Sequence, residues 1–171
     1  MNSCNHLRVA VDLDDTIFDF EGSYRIRFPD DEFCNYQITK NVQKLVNDKD
    51  FWENLPLLEK PNFIPHLYAT KRINSKCYTK NCLLKHGLPI RPIYQIYSQL
   101  RNKADIIKGR CDVLVDDSIF NVNQAIRAGL PALLIDRPNN QNGDPLFRIY
   151  SLDIDEIIWA YNLELSTLQW N

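Results

Sequence analysis

The sequence predicts an α/β fold, a mostly parallel sheet layered with helices on both faces, and three observations carry that expectation. Short runs of small and β-branched apolar residues, such as Val9-Ala10-Val11 and Val113-Leu114-Val115, recur along the chain and read as strands buried on both faces. Stretches of helical length lie between them and stop at Gly87, Gly109 and Gly129, glycine being the usual residue beyond a helix end. Several apolar runs end in carboxylates or a hydroxyl, and the carboxyl ends of parallel strands are where such sheets receive ligands.

A chain of 171 residues is long enough for one ordinary core with a small appended subdomain, and two full domains would be a squeeze. Its formal charge of -2 offers no bulk attraction to nucleic acid or to an anionic membrane. The five cysteines are an odd number without zinc-ligand spacing, which suits reduced thiols in a cytoplasmic protein. Residues 1–8 are polar and lack the apolar core of a signal peptide, and the longest apolar runs fall short of a membrane span. A cytoplasmic protein without membrane contact is the expectation.

In chain order, Val9-Ala10-Val11 is the first strand, and Asp12, Asp14 and Asp15 follow it directly. Residues 19–62 mix aromatic and charged side chains. Phe20, Tyr24, Phe28 and Phe33, then Ile38, Val42 and Leu45, recur at about one helical turn, which predicts two or three short helices forming a small lid. A second strand over 63–70 is weakened at its start by Pro65 and ends at Thr70. Asn74 or Ser75 caps a helix running to Gly87. A third strand over 93–97, a helix over 98–108, a strand over 111–117 ending in Asp116-Asp117, a helix over 118–128 and a fifth strand over 130–136 complete the βαβ rhythm. The stretch 137–145, rich in Asn, Pro and Gly, is a surface turn or binding loop, and a last helix begins at Asp153. The predicted division is therefore 1–18 with 63–171 as the α/β core and 19–62 as a helical cap inserted after the first strand.

Carboxylates crowded at the end of a core strand raise their own repulsion and desolvation cost, so they call for a bound cation or for chemistry. Asp12, Asp14, Asp116 and Asp117, with Thr70 beside them, would converge on one crevice. An oxygen-rich pocket with few fixed ligands suits magnesium, which completes its octahedron with water and substrate phosphate. The Thr70 hydroxyl and a lysine would supply donors to the phosphoryl oxygens. One carboxylate could attack phosphorus, and a second, two residues along, could serve as general acid and base.

The bland readings differ by residue. Asp15 reads as a bystander or a cap, and Asp117 as either a metal ligand or the N-cap of the following helix. Lys71 and Arg72 either bind phosphate or open a surface helix. Lys103 and Lys108 compete for the phosphate-binding role. Phe18 and Phe20 are kept as lid contacts that could stack on a base, whereas Tyr24 and Trp52 at helical spacing read as core. His66 and His86 lack partner ligands at useful spacing.

Asp12-Leu13-Asp14-Asp15-Thr16 resembles the DxDxT signature of the haloacid dehalogenase superfamily of phosphatases. Thr70 after Leu67-Tyr68-Ala69 is similar to its second motif, Lys103 within Arg101-Asn102-Lys103-Ala104-Asp105 to its third, and Asp116-Asp117 to its acidic fourth. The four motifs occur in order between Val9 and Asp117. The short helical insert, the 51–58 stretch and the segment Ala132-Leu133-Leu134-Ile135-Asp136-Arg137-Pro138-Asn139-Asn140 resemble the 5′(3′)-deoxyribonucleotidase branch.

The resemblance implies a Rossmann-like three-layer sandwich and a magnesium-dependent phosphomonoesterase. By it, Asp12 is nucleophile and metal ligand, and Asp14 is acid/base and binds the metal through its backbone carbonyl. Asp116 and Asp117 complete the metal site, and Thr70 and Lys103 hold the phosphate; Lys71 is kept beside them as a phosphate-binding candidate on its position alone. The expected partner is a small phosphorylated substrate, foremost a (deoxy)nucleoside monophosphate; a homodimer is allowed and a nucleic acid partner is disfavoured. The alternatives are a phosphatase of nucleic-acid-end or sugar phosphates, or a non-catalytic module that binds phosphate or metal.

Overall fold

The computed structural model describes residues 6–31, 40–97, 101–142 and 147–168. Its centre is a six-stranded, all-parallel sheet made of β1 (Val9–Val11), β2 (Leu67–Thr70), β3 (Ile93–Gln95), β4 (Val113–Asp116), β5 (Ala132–Ile135) and β6 (Arg148–Ile149). The strands lie in the order β3-β2-β1-β4-β5-β6, so the winding reverses between β1 and β4. In doubly wound sheets that reversal opens a crevice at the carboxyl ends of the two strands.

Alternation along the strands builds the two faces. Val9, Val11, Val113, Val115, Leu133 and Ile135 enter one buried cluster, while Ala10, Leu114, Ala132 and Leu134 enter the other. The first face is covered by α4 (Lys76–Lys85) and α7 (Ile154–Leu168), which contribute Leu83, Ile157 and Ala160. The second is covered by α5 (Ala104–Ile107) and α6 (Ile119–Arg127), through Ala104, Ile107, Val122 and Ala125. The result is a Rossmann-like three-layer sandwich, as the alternation of strand and helix required.

The segment after β1 holds α1 (Phe20–Arg27), α2 (Lys40–Lys44) and α3 (Lys49–Glu53), with a 3-10 turn at Leu45–Asn47. Tyr24, Leu45, Trp52 and Leu55 from this segment lie in the same buried cluster as Val11 and Leu83, so the insert shares its core with the sheet. Phe33 and Ile38, part of the predicted helical spacing, lie outside the described residues. Among the described residues no helix is long and apolar enough to cross a membrane.

Several elements are shorter than their sequence patterns, and one is additional. The second strand begins at Leu67, beyond Pro65, which has no N–H to contribute to a ladder. The helix expected over 98–108 is confined within the described residues to α5, because the Asn102 side chain accepts from the Ala104 backbone N–H at 2.9 Å and starts the helix there. Residues 98–100 lie outside the description. β6 was not expected: two residues carry no readable periodicity, and it exists through its register with Leu134 and Ile135 of β5. Ser75, one of two candidates, caps α4 by accepting from the Cys77 backbone N–H.

Candidate functional site

The chain leaves β1 through a tight fold-back. The backbone N–H groups of Ile17 and Phe18 both donate to the Leu13 carbonyl at 2.9 Å, and the Asp15 N–H donates to the Phe18 carbonyl at 2.7 Å. Asp15 takes a left-handed backbone with φ of 57°, which aspartate tolerates better than most side chains. This turn keeps Asp12 at the end of β1, where its backbone N–H donates to the Val115 carbonyl of β4, and carries Asp14 toward β2.

Asp12, Asp116 and Asp117 are all buried, and each offers a carboxylate oxygen within 4.8 Å of the others. The Lys103 ammonium sits among them, 2.5 Å from Asp12 Oδ1 and 2.7 Å from Asp116 Oδ2, and is itself buried. Thr16 Oγ1 lies 3.5 Å from Asp12 Oδ2 and 3.4 Å from Asp117 Oδ1, and accepts from the Asp117 backbone N–H at 3.1 Å. Asn121 Nδ2 and the Ser118 backbone N–H donate to Asp116, and Asn139 Nδ2 donates to Asp117 Oδ2 at 3.1 Å. Ser118, not Asp117, is the N-cap of α6.

The electrostatics follow from that crowding. Burial pushes the Asp12 carboxyl well above the ordinary range; Lys103 opposes this, and Asp116, Asp117 and Asp14 add to it. Burial likewise pushes Asp117 well up, with Asp116 next in weight. Burial pulls the Lys103 ammonium down, but Asp116 and Asp12 together raise it above an ordinary lysine. One ammonium cannot neutralise three buried carboxylates, so an added cation would relieve the remainder. The donors are all hard oxygens, and Asp12, Asp116 and Asp117 could hold a metal ion.

Asp14 faces a different set of partners. Arg72 grips its carboxylate through Nε, 2.9 and 3.0 Å from the two oxygens, and through Nη2, 2.7 Å from Oδ1. Thr70 Oγ1 donates to Asp14 Oδ2 at 3.3 Å and accepts from the Arg72 backbone N–H. Thr70 is therefore fully buried, with its hydroxyl engaged by Asp14. Arg72 does not open a surface helix: α4 begins at Lys76, and the guanidinium is fully buried with Phe18 and Trp52 rings 5.4 and 5.3 Å from its central carbon. The sequence offered Arg72 as a phosphate ligand or the start of a surface helix, and its pairing with Asp14 is neither. The available signal was a basic pair directly beyond a buried strand that ends beside acidic strands.

The remaining candidates separate cleanly. Lys71 places its amine 5.5 Å from the Phe120 ring, and its titration is lowered by burial first and Lys103 second. Lys108 donates to the Ala128 carbonyl at the C-terminal end of α6, which leaves Lys103 as the lysine at the acidic cluster. Phe18, expected as a lid contact, is a fully buried core ring packed on His86 and Arg72. Phe20 stacks on Trp52 at 5.5 Å and 17°, within the insert. His86 is structural, its Nε2 2.9 Å from the Leu55 carbonyl.

Asp15 stands outside the cluster. Its carboxylate accepts from the Glu21 backbone N–H in the first turn of α1, and burial pushes it up to about 8. It lines a cavity of about 390 Å³ with Asp19, Gly22, Arg25, Arg137 and Asn139. Arg137 ties this wall to the fold-back by donating to the carbonyls of Asp15 and Thr16. Compared with known proteins, the chain matches no family model and no curated sequence.

Proposed function

We propose that this protein is a magnesium-dependent phosphomonoesterase of the haloacid dehalogenase type, with a (deoxy)nucleoside monophosphate as its substrate. The observation that carries this reading is the convergence of Asp12, Asp116, Asp117 and Lys103 at the ends of β1 and β4, where the sheet's winding reverses. A bare metal site would need only the carboxylates. A buried lysine fixed on Asp12, with a second aspartate two residues along the chain, supports nucleophilic phosphoryl transfer.

In this reading Asp12 attacks phosphorus through a carboxylate oxygen. The bond from phosphorus to the leaving oxygen breaks, and Asp14 supplies that oxygen's proton. Water then displaces Asp12 from phosphorus and gives its proton to Asp14, releasing inorganic phosphate. Magnesium, held by Asp12, Asp116, Asp117 and the Asp14 carbonyl, would supply positive charge to the phosphoryl oxygens. Lys103 orients Asp12 and offers its ammonium to the phosphate, and Lys71 extends the positive field at the rim.

The test is phosphate release from a panel of nucleotide, sugar and oligonucleotide-end phosphomonoesters, with and without magnesium. Metal-dependent release, highest with nucleoside monophosphates and abolished in a folded Asp12→Asn variant, is expected. Undiminished release by that variant would sink the mechanism, and preferential release from oligonucleotide ends would replace the substrate assignment.

A further inference from the structure

Arg72 is an expensive residue to place inside an apolar cluster, because a buried guanidinium must be both paired and hydrogen-bonded. Its surroundings restrain it on every side the structure describes. Nε and Nη2 grip Asp14, Nη1 lies 3.4 Å from Thr79 Oγ1, and the rings of Phe18 and Trp52 lie against the guanidinium. Behind it, Thr79 donates to Asn74 Oδ1, which also accepts from Gln95 Nε2 at the end of β3. Trp52 is held in turn by its own Nε1–H, which donates to the Leu45 carbonyl at 2.6 Å. A planar fork restrained in this way cannot rotate without dragging the carboxylate it holds.

The arrangement also connects parts of the chain that are distant in sequence. Trp52 and Leu45 belong to the inserted segment, Phe18 to the fold-back after β1, Arg72 to the exit from β2, and Gln95 to β3. They converge around Arg72, which pairs with Asp14 among the described carboxylates of the site, while Lys103 serves Asp12 and Asp116. The two buried cations therefore divide the acidic residues between them.

We infer that Arg72 is a positioning residue which, clamped by Phe18 and Trp52, holds the Asp14 carboxylate where it receives the proton of the attacking water, tying the inserted segment to the second half of the reaction. This rests on the phosphatase reading above. In that half-reaction the water oxygen bonds to phosphorus, the bond from phosphorus to Asp12 breaks, and its electron pair returns to the Asp12 carboxylate. The water's proton passes to Asp14. Displacing Asp14 by a fraction of its bond length to Arg72 misaligns that transfer, and such alignment is worth orders of magnitude in rate.

The experiment uses p-nitrophenyl phosphate, whose phenolate leaves without needing a proton, so that only the water step depends on Asp14. Rapid-mixing kinetics with magnesium are measured for the wild type, Arg72→Lys, Trp52→Leu and a remote core variant, Leu134→Ala. In Arg72→Lys the ratio of the first-turnover rate to the steady-state rate is expected to rise about 100-fold, with a burst of nitrophenolate approaching the enzyme concentration. Trp52→Leu should shift the ratio in the same direction by less, and it decides the matter alone should Arg72→Lys not fold. Leu134→Ala should lower thermal stability and leave the ratio unchanged. Loss of turnover with an unchanged ratio, or wild-type turnover in both clamp variants, would overturn the inference while leaving the phosphatase reading intact. A wild-type chain inert toward every phosphomonoester would overturn the reading itself.

Discussion

Lys103 shows how much one side chain can decide. Its ammonium is buried between two buried carboxylates, so it neutralises repulsion that would otherwise oppose folding as well as orienting Asp12. Replacing it by methionine keeps the bulk and removes the charge. Breaking a buried pair from one side costs about 3–5 kcal/mol, because the partner is left uncompensated. Lys103→Met should therefore melt well below the wild type in metal-free buffer. Millimolar magnesium should restore part of the loss, since a ligand that binds only the folded state stabilises it by mass action. Paired thermal melts, with magnesium and with chelator, check this; a Lys103→Met melting temperature that magnesium does not move would mean that no cation enters its cluster. Arg72 presents the same logic with Asp14 as partner, and its effect is expected in the kinetics described above.

At the scale of elements, α1 illustrates a cap that overrides propensity. Asp19 is its N-cap and accepts from the Gly22 backbone N–H at 2.9 Å. A Cβ at Gly22 would stand 2.3 Å from Asp19 Oδ2, closer than atoms can approach. Glycine to alanine within a helix ordinarily gains about 0.5–1 kcal/mol. Here it must dislodge the cap, a loss of about 1 kcal/mol. Gly22→Ala should thus be neutral to destabilising by denaturant titration, and the same change on an Asp19→Ala background should recover the usual gain. The cap matters for the site because α1 begins directly after the fold-back that carries Asp14 and Asp15.

For the whole molecule, the pH response has a contributor far from the crevice. Glu164 of α7 is buried against β5, where its Oε1 accepts from the Ala132 backbone N–H at 3.3 Å. Burial raises its carboxyl to about 7 from an ordinary value of 4.5. The folded state then binds more protons than the unfolded chain between those two values, so stability falls as pH rises through that window and stays lowered above it. Glu164→Gln retains an acceptor for Ala132 and carries no charge. It should gain on the order of 1–2 kcal/mol at pH 8 and almost nothing at pH 4, read from urea titrations at both pH values. An equal gain at both would place the cause in packing instead.

Composition and periodicity alone determined the layered α/β plan, because a strand buried on both faces must be apolar throughout and its crossover helices must stop at residues that permit a left-handed turn. They also placed Asp12, Asp116 and Asp117 together, since the ends of neighbouring parallel strands share one edge of the sheet. Tertiary structure decided what those patterns do not encode. β6 is a strand only because β5 offers it a ladder, and Lys103 rather than Lys108 reaches the acids because α5 starts at Ala104, immediately after it. Arg72 and Thr16 take their partners from the fold, because the fold-back after β1 brings Asp14 to the exit of β2 and Thr16 between Asp12 and Asp117. Hydrophobic pattern is a property of each residue and its near neighbours, whereas the pairing of buried charges depends on which distant segments the sheet order brings face to face.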